Sequence, residues 1–182
     1  AMLLELHTHT KYSYGSKIHF DGVEEPTSMI KQAALNGTDA IVITDHDTLD
    51  GVTKSKRAAK KYDIELIPGE EVTTKDGHLL ALGINEVIKP GLSAEETVDM
   101  IHSQGGVSVS PHAFDILNAG LGKKAKLCDA MEVFNGNNVD RISNIKAKQF
   151  SKEHNITQVA GSDAHTIEAL GHGMVKVRAF DT

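Results

Sequence analysis

The sequence predicts an α/β chain, a small and distorted parallel barrel of alternating strands and helices in one domain over residues 1–182. Three observations carry this expectation. Seven short apolar runs are mostly continuous and β-branched, the pattern of strands covered on both faces. Between most of them lie stretches with apolar residues at helical spacing. A length of 182 residues suits one core, and 40% hydrophobic with 24% charged residues is ordinary for a globular domain.

The predicted strands are Leu3–Leu6, Ala40–Thr44, Glu65–Pro68, His78–Ile84, Val107–Ser110, Ala130–Phe134 and Thr157–Ala160, with a short final strand at Met174–Val177. The first helix, Pro26 to Asn36, sets Ile30, Ala33 and Ala34 on one face and stops at Gly37. The second, Asp50 to Tyr62, carries Val52, Ala59 and Tyr62 among lysines. Ser93 opens the third with Glu96 three residues on, a capping box, and Gly105-Gly106 ends it. The fourth, Asn138 to His154, supplies Val139, Ile142 and Ile145. Between the third and fourth strands there is no room for a helix, and Asp76-Gly77 marks a hairpin turn.

Composition excludes several function classes. Nineteen Lys+Arg against twenty-five Asp+Glu give a net charge of −6, the wrong sign for a surface that grips nucleic acid or acidic lipid nonspecifically. No run approaches the roughly 18 apolar residues of a membrane-spanning helix. The amino terminus, Ala1-Met2-Leu3-Leu4-Glu5, has no basic region ahead of a long apolar one, so no secretory leader is expected. A single cysteine, Cys128, excludes an internal disulfide and fits a reducing cytoplasm. Ten histidines, without a tag and beside only 4% aromatics, stand out.

Placed on the predicted strands, histidines and carboxylates collect at the carboxyl ends. The first strand runs into Glu5-Leu6-His7-Thr8-His9, the second into Thr44-Asp45-His46-Asp47 and the third into Gly69-Glu70-Glu71. The fifth runs into Pro111-His112 and the seventh into Gly161-Ser162-Asp163-Ala164-His165, while His78 begins the fourth. Parallel β/α folds bind ligands beyond the strand carboxyl ends. Alternation aims His7 with His9, and Asp163 with His165, toward one side. Several imidazoles with a few carboxylates suit Zn, Mn or Fe, whereas Mg and Ca prefer all-oxygen sites. His102 and His154 read as surface residues, and His19 and His172 as bystanders.

Leu6-His7-Thr8-His9-Thr10, Ile43-Thr44-Asp45-His46-Asp47, Gly69-Glu70-Glu71, Pro111-His112 and Gly161-Ser162-Asp163-Ala164-His165 together resemble the successive motifs of the PHP (polymerase and histidinol phosphatase) superfamily. The resemblance runs from His7 to His165. It implies a distorted (β/α)7 barrel that hydrolyses phosphate esters with two or three divalent ions. It further implies a first ion held by His7, His9, Glu70 and Asp163, and a second shared through Glu70 and held by His78 and His112. A third would meet His46 and His165. Asp45 would support a ligand or handle a proton, and Asn135 would line the pocket.

Two departures from the family pattern shape the expectation. Gly15 stands where an Asp or His usually helps hold the third ion, so that site should be loose unless His19 or Asp21 reaches back from the following loop. The inserted segment of larger nucleotide and oligoribonucleotide hydrolases is missing, which weakens the case for a long nucleic-acid substrate. The leading expectation is a phosphoesterase acting on a small phosphorylated metabolite or nucleotide through a metal-bridged hydroxide, with Glu70 as the bridge and Asp45, His46 and His165 handling protons. Lys11, Lys17 and Arg141 are the basic candidates for the rest of the substrate. Two alternatives are hydrolysis of an amide-type bond and a noncatalytic metal-binding module.

Overall fold

The computed structural model describes residues 1–14 and 21–178. Its strands are β1 (Met2–Glu5), β2 (Ala40–Ile43), β3 (Glu65–Thr73), β4 (His78–Leu82), β5 (Val107–Ser110), β6 (Ala130–Asn135), β7 (Thr157–Gly161) and β8 (Val175–Val177). Four helices join them: α1 (Pro26–Leu35), α2 (Asp50–Lys61), α3 (Ala94–Ser103) and α4 (Arg141–Glu153). Two short 3₁₀ turns, Gly122–Leu127 and Ile167–Ala169, were not expected, since six and three residues show no helical period.

The eight strands form one sheet in the order β7-β6-β5-β4-β3-β2-β1-β8. Most neighbours are parallel, but β4 runs antiparallel to β3 and β5, and β8 antiparallel to β1. The expected barrel is therefore distorted twice, by the β3–β4 hairpin and by the terminal strand. Closure comes at the carboxyl rim, where Thr8 bridges Ala164. His9 N–H donates to Ala164 O at 2.8 Å, and Ala164 N–H to His7 O at 3.3 Å. The antiparallel course of β4 has a direct consequence: its first residue, His78, sits opposite Thr73 at the end of β3 and so joins the same rim.

Strand alternation sorts the core into layers. Val42, Leu80, Leu82, Val109 and Ala130, with Leu6, Ile67 and Val159, come from seven consecutive strands or their ends and fill the barrel below the rim. Outside, Ile41 and Ile43 pack with Met29, Ile30 and Ala33 of α1 and with Val52, Ala58 and Ala59 of α2. Val72, Leu79 and Ala81 meet Val98 and Ile101 of α3. The Ser93 capping box is formed, with Ser93 Oγ accepting from Glu96 N–H and Glu96 from Ser93 N–H. No helix among the described residues is long and apolar enough to cross a membrane.

Cys128 lies in the α3 layer, buried and unpaired. Burial, reinforced by the charge of Asp129, pushes its thiol up to about 12. Native protein at pH 8 should therefore resist iodoacetamide, with alkylation appearing only on unfolding; rapid labelling of native protein would contradict this packing.

Candidate metal centre

The rim brings together His7, His9, His46, His78, His112, Asp163 and His165. The carboxylate at their centre is Glu71. His7 Nε2, His9 Nε2, Glu71 Oε2 and Asp163 Oδ1 form the tightest group. Both imidazole nitrogens lie 3.0 Å from Glu71 Oε2, 3.1 Å from each other and 3.2–3.3 Å from Asp163 Oδ1. Four ligand atoms bound at 2.0–2.1 Å around a tetrahedral ion stand roughly 3.3 Å apart, so these spacings fit such an ion.

The neighbouring hydrogen bonds decide which lone pairs face inward. His7 Nδ1–H donates to Glu132 Oε1 at 2.7 Å, leaving Nε2 as the acceptor. Ser13 Oγ–H donates to Asp21 Oδ2 at 2.9 Å, so Ser13 Oγ in turn accepts His9 Nδ1–H, also at 2.9 Å. His9 Nε2 is thereby turned inward as well. Lone pairs of two imidazoles and two carboxylates thus converge in a buried space, which demands a cation or protons between them. Burial opposes the carboxylate charge of Glu71 and Asp163, yet the surrounding imidazoles hold both well below the usual range.

Glu71 also faces a second set. Its Oε1 lies 3.0 Å from His112 Nε2 and 3.2 Å from His78 Nδ1, and His46 Nε2 stands 3.6 Å from Oε2. One carboxylate so serves two groups of nitrogens, His46–Glu71–His78 being a candidate site in its own right. A third group joins His9, Asp21 and His165. Here His165 Nδ1–H donates to Asp163 O at 2.8 Å, turning Nε2 toward Asp21 Oδ2 at 3.0 Å, while His46 Nε2 is 3.6 Å from that oxygen.

Three expectations need correction. Glu70 is not in the cluster: alternation along β3 sends it to the outer face, where Oε2 accepts Ile88 N–H at 3.3 Å and Oε1 has no partner. Burial lifts its carboxyl to about 8. The bridging role expected of Glu70 belongs by geometry to Glu71. Asp45 is spent on Thr10, with Oδ1 accepting Thr10 N–H and Oδ2 accepting Thr10 Oγ–H, both at 2.6 Å. It pins the segment after His9, in keeping with a supporting role, and does not face the pocket, so the proton-handling role is the part that falls. The third group is not short of a protein carboxylate, because the loop returns through Asp21 N–H to Ser13 O and Lys11 N–H to Glu24 O, delivering Asp21. Gly15, Lys17 and His19 lie outside the described residues.

Other side chains were missed or misread. Glu132, unmarked by any motif, accepts from His7 Nδ1–H, from His112 N–H at 3.0 Å and from Asn135 Nδ2–H at 2.8 Å. Gly161 makes its room, since a Cβ there would collide with Glu132 Oε1. Asn135 donates to Asp163 Oδ2 at 3.2 Å; it steadies a ligand and does not line the cavity. Asp163 and His112 hold left-handed backbone, at φ 51° and 32°, a strained geometry that such contacts sustain. Lys11 pairs with Glu25 at the surface, and neither it nor Arg141 lines the cavity. His102 pairs with Asp129, and His154 stacks on Phe150, both away from the rim.

Glu71→Gln should lose bound metal almost completely, whereas Glu70→Gln should retain it, as metal analysis after gel filtration will show. The reverse order would return the bridge to Glu70. Metal uptake should also release protons. Burial opposes a charge on His9, but Asp163 and Glu71 outweigh it and raise its pKa from 6.5 to about 10. In the metal-free protein this charge contributes stability that is full below 6.5 and lost as pH rises through 10. Binding must displace that proton, so affinity should rise roughly tenfold per pH unit between these limits for each proton lost. Titration calorimetry in buffers of different ionisation enthalpy measures the release; uptake of protons at pH 8 would contradict it.

Comparison with known proteins agrees with this geometry. The model of the PHP domain family matches residues 5–160, and that of a PHP-associated region matches residues 141–182. An uncharacterized protein of Methanocaldococcus jannaschii is 38% identical over 159 residues, covering 84% of this chain and 93% of that one. An amidohydrolase from Chromobacterium violaceum shares the fold at TM-score 0.73 and 18% identity, over 96% of this chain and 92% of its own. A two-domain protein from Bacteroides vulgatus, containing a predicted PHP-like metal-dependent phosphoesterase, matches at TM-score 0.70 and 21% identity. That match covers 90% of this chain, which spans about half (52%) of the other. The rim motifs, the barrel and the matched family model agree: the chain belongs to the PHP domain family.

Proposed function

We propose that the chain is a metal-dependent phosphoesterase acting on a small phosphorylated metabolite or nucleotide. The observation that carries this reading is the two-sided use of Glu71, at the floor of a cavity of about 410 Å³ that also exposes His46, His78, Asp163 and His165. His7, His9, Glu71 and Asp163 would hold one ion, and Glu71, His78 and His112 with His46 a second. Asp21 and His165, beside His46, would hold a third. Zinc, manganese or iron bound there would neutralise phosphoryl oxygens and lower the pKa of water. The chain's own part is to aim the lone pairs: Glu132 and Ser13 fix the ring orientations of His7 and His9, and Asn135 steadies Asp163. Burial holds His46 at about 4, so it is a neutral imidazole at physiological pH and no cationic acid. With no ion at that third position, His165, a quarter exposed on the cavity wall, is the imidazole placed to pass a proton to a leaving oxygen; with one there, it is a ligand.

One observation favours a second reading, hydrolysis of an amide-type bond. Among the described residues lining the cavity there is no Lys or Arg to meet a phosphate group. A noncatalytic module is disfavoured by the completeness of the donor set. The names of the fold neighbours span both chemistries, so the reaction class rests on assay. Metal-stripped protein reloaded with Mn, Zn or Fe should hydrolyse phosphomonoesters in a panel that includes phosphodiesters and amides. Asp21→Asn should lower kcat by roughly ten- to hundredfold, as loss of a carboxylate that orients or binds at a metal site does. Amide cleavage without any phosphate-ester cleavage would replace the first reading with the second.

A further inference from the structure

The mouth of the cavity is apolar on one side. Ile116 and Leu117 line it while 94% and 81% exposed, which is unusual for side chains of that size, and Ala119 and the half-exposed Tyr14 extend the surface. These residues are not on a loose tip. Asp115, 2% exposed, accepts Leu117 N–H at 3.0 Å and Asn118 N–H at 3.3 Å on Oδ1, and Asn118 Nδ2–H at 2.7 Å on Oδ2. Gly120 N–H closes the turn on Asp115 O at 3.1 Å.

Both ends of the turn are tied to the metal-binding rim. Asp115 N–H donates to His112 O at 2.9 Å, and His78 N–H donates to Ala119 O at 2.8 Å. The shelf is therefore held in register with the two imidazoles that face Glu71 Oε1. A group that extends outward from a reacting centre at Glu71 on the side of His78 and His112 meets this shelf. The described lining contains no Lys or Arg for a second anionic group, and its polar side chains beyond the rim are the neutral Tyr14, Thr73, Asn118 and Asn137.

Building on the phosphoesterase reading, we propose that Ile116 and Leu117 determine specificity by packing against the leaving group. The preferred substrate is then a monoester whose non-phosphorylated part is apolar or aromatic and carries no second negative charge. A charged remainder, such as a carboxylate, would lose its hydration against the shelf without gaining a cationic partner among the described residues, and is selected against.

The test compares phenyl phosphate, glycerol 2-phosphate and 3-phosphoglycerate in metal-loaded protein, wild type against an Ile116→Ser/Leu117→Ser double variant. Taking each variant-to-wild-type ratio separately cancels differences in leaving-group chemistry. For phenyl phosphate kcat/KM should fall roughly tenfold, mainly through KM, with a markedly smaller change for glycerol 2-phosphate. Leu117→Lys should shift preference toward 3-phosphoglycerate. Calorimetry with phenylphosphonate and methylphosphonate gives a readout independent of turnover. The wild type should favour the phenyl compound, and the double variant should narrow that preference. Equal losses for all three esters, or no phosphonate preference in the wild type, would overturn the assignment. So would sedimentation showing a wild-type dimer that the double variant dissociates, since a second copy would then cover the shelf. Failure of every ester with an intact phosphonate preference would instead sink the phosphoesterase reading and leave the shelf standing.

Discussion

Burying Glu71 between two sets of imidazole nitrogens is the constraint around which the barrel rim is organised. A carboxylate taken wholly from water costs roughly several kcal/mol unless charge and hydrogen bonding compensate it. Here both oxygens are engaged, Oε2 by His7 and His9 and Oε1 by His78 and His112. Those imidazoles are themselves buried or nearly so, and their outward nitrogens need partners. Glu132 answers His7 and Ser13 answers His9, while the outward Nδ1 of His112 has no hydrogen-bond partner among the described residues and this residue is fixed through its backbone N–H on Glu132. The support reaches outward until it meets backbone: Asn135 to Glu132 and Asp163, and Asp45 to Thr10.

Closure of the barrel and assembly of the site are one event. The Thr8–Ala164 bridge, which joins the segment after β1 to the segment after β7, lies between His7 and His9 on one side and between Asp163 and His165 on the other. Unzipping it would separate the two halves of the first donor group. The hairpin between β3 and β4 contributes in a comparable way. A parallel fourth strand would have carried His78 to the opposite end of the barrel; reversal places it against Glu71. Below the rim lies a layer of Val, Leu, Ile and Ala side chains, and the change from that layer to the charged cluster takes one residue just after β1, from Leu6 to His7, and four on β3, from Ile67 to Glu71.

The rim is also asymmetric in what it offers a ligand. Its floor is crowded with groups suited to cations, whereas the described walls supply neutral and apolar contacts. The overall charge of −6 is consistent with that division, because attraction for an anionic substrate would then come from bound ions and not from the protein surface. The buried neutral Glu70 shows the other side of the same physics. One position from Glu71, but facing Ile88 on the outer layer, it lacks any cationic partner and keeps its proton to about 8.

The sequence by itself determined the class of fold and most of the ligand types, because strand periodicity and His/Asp spacing are local properties. Runs such as Ala40–Thr44 announced covered strands, and His7-Thr8-His9 and Asp163-Ala164-His165 announced paired ligands. What only the tertiary structure decided depends on direction or on distance along the chain. Two adjacent glutamates look alike in sequence, and only the pleat of β3 tells which points inward. Asp45 sits in a ligand-like motif, yet Thr10 occupies both its oxygens. Asp21 reaches His165 across 144 residues, and Glu132 reaches His7 across 125, separations at which no spacing rule operates. Local patterns nominate candidates for a buried polar cluster. The closing of the barrel chooses among them, because most of the lone pairs and N–H groups enclosed there find partners only in three dimensions.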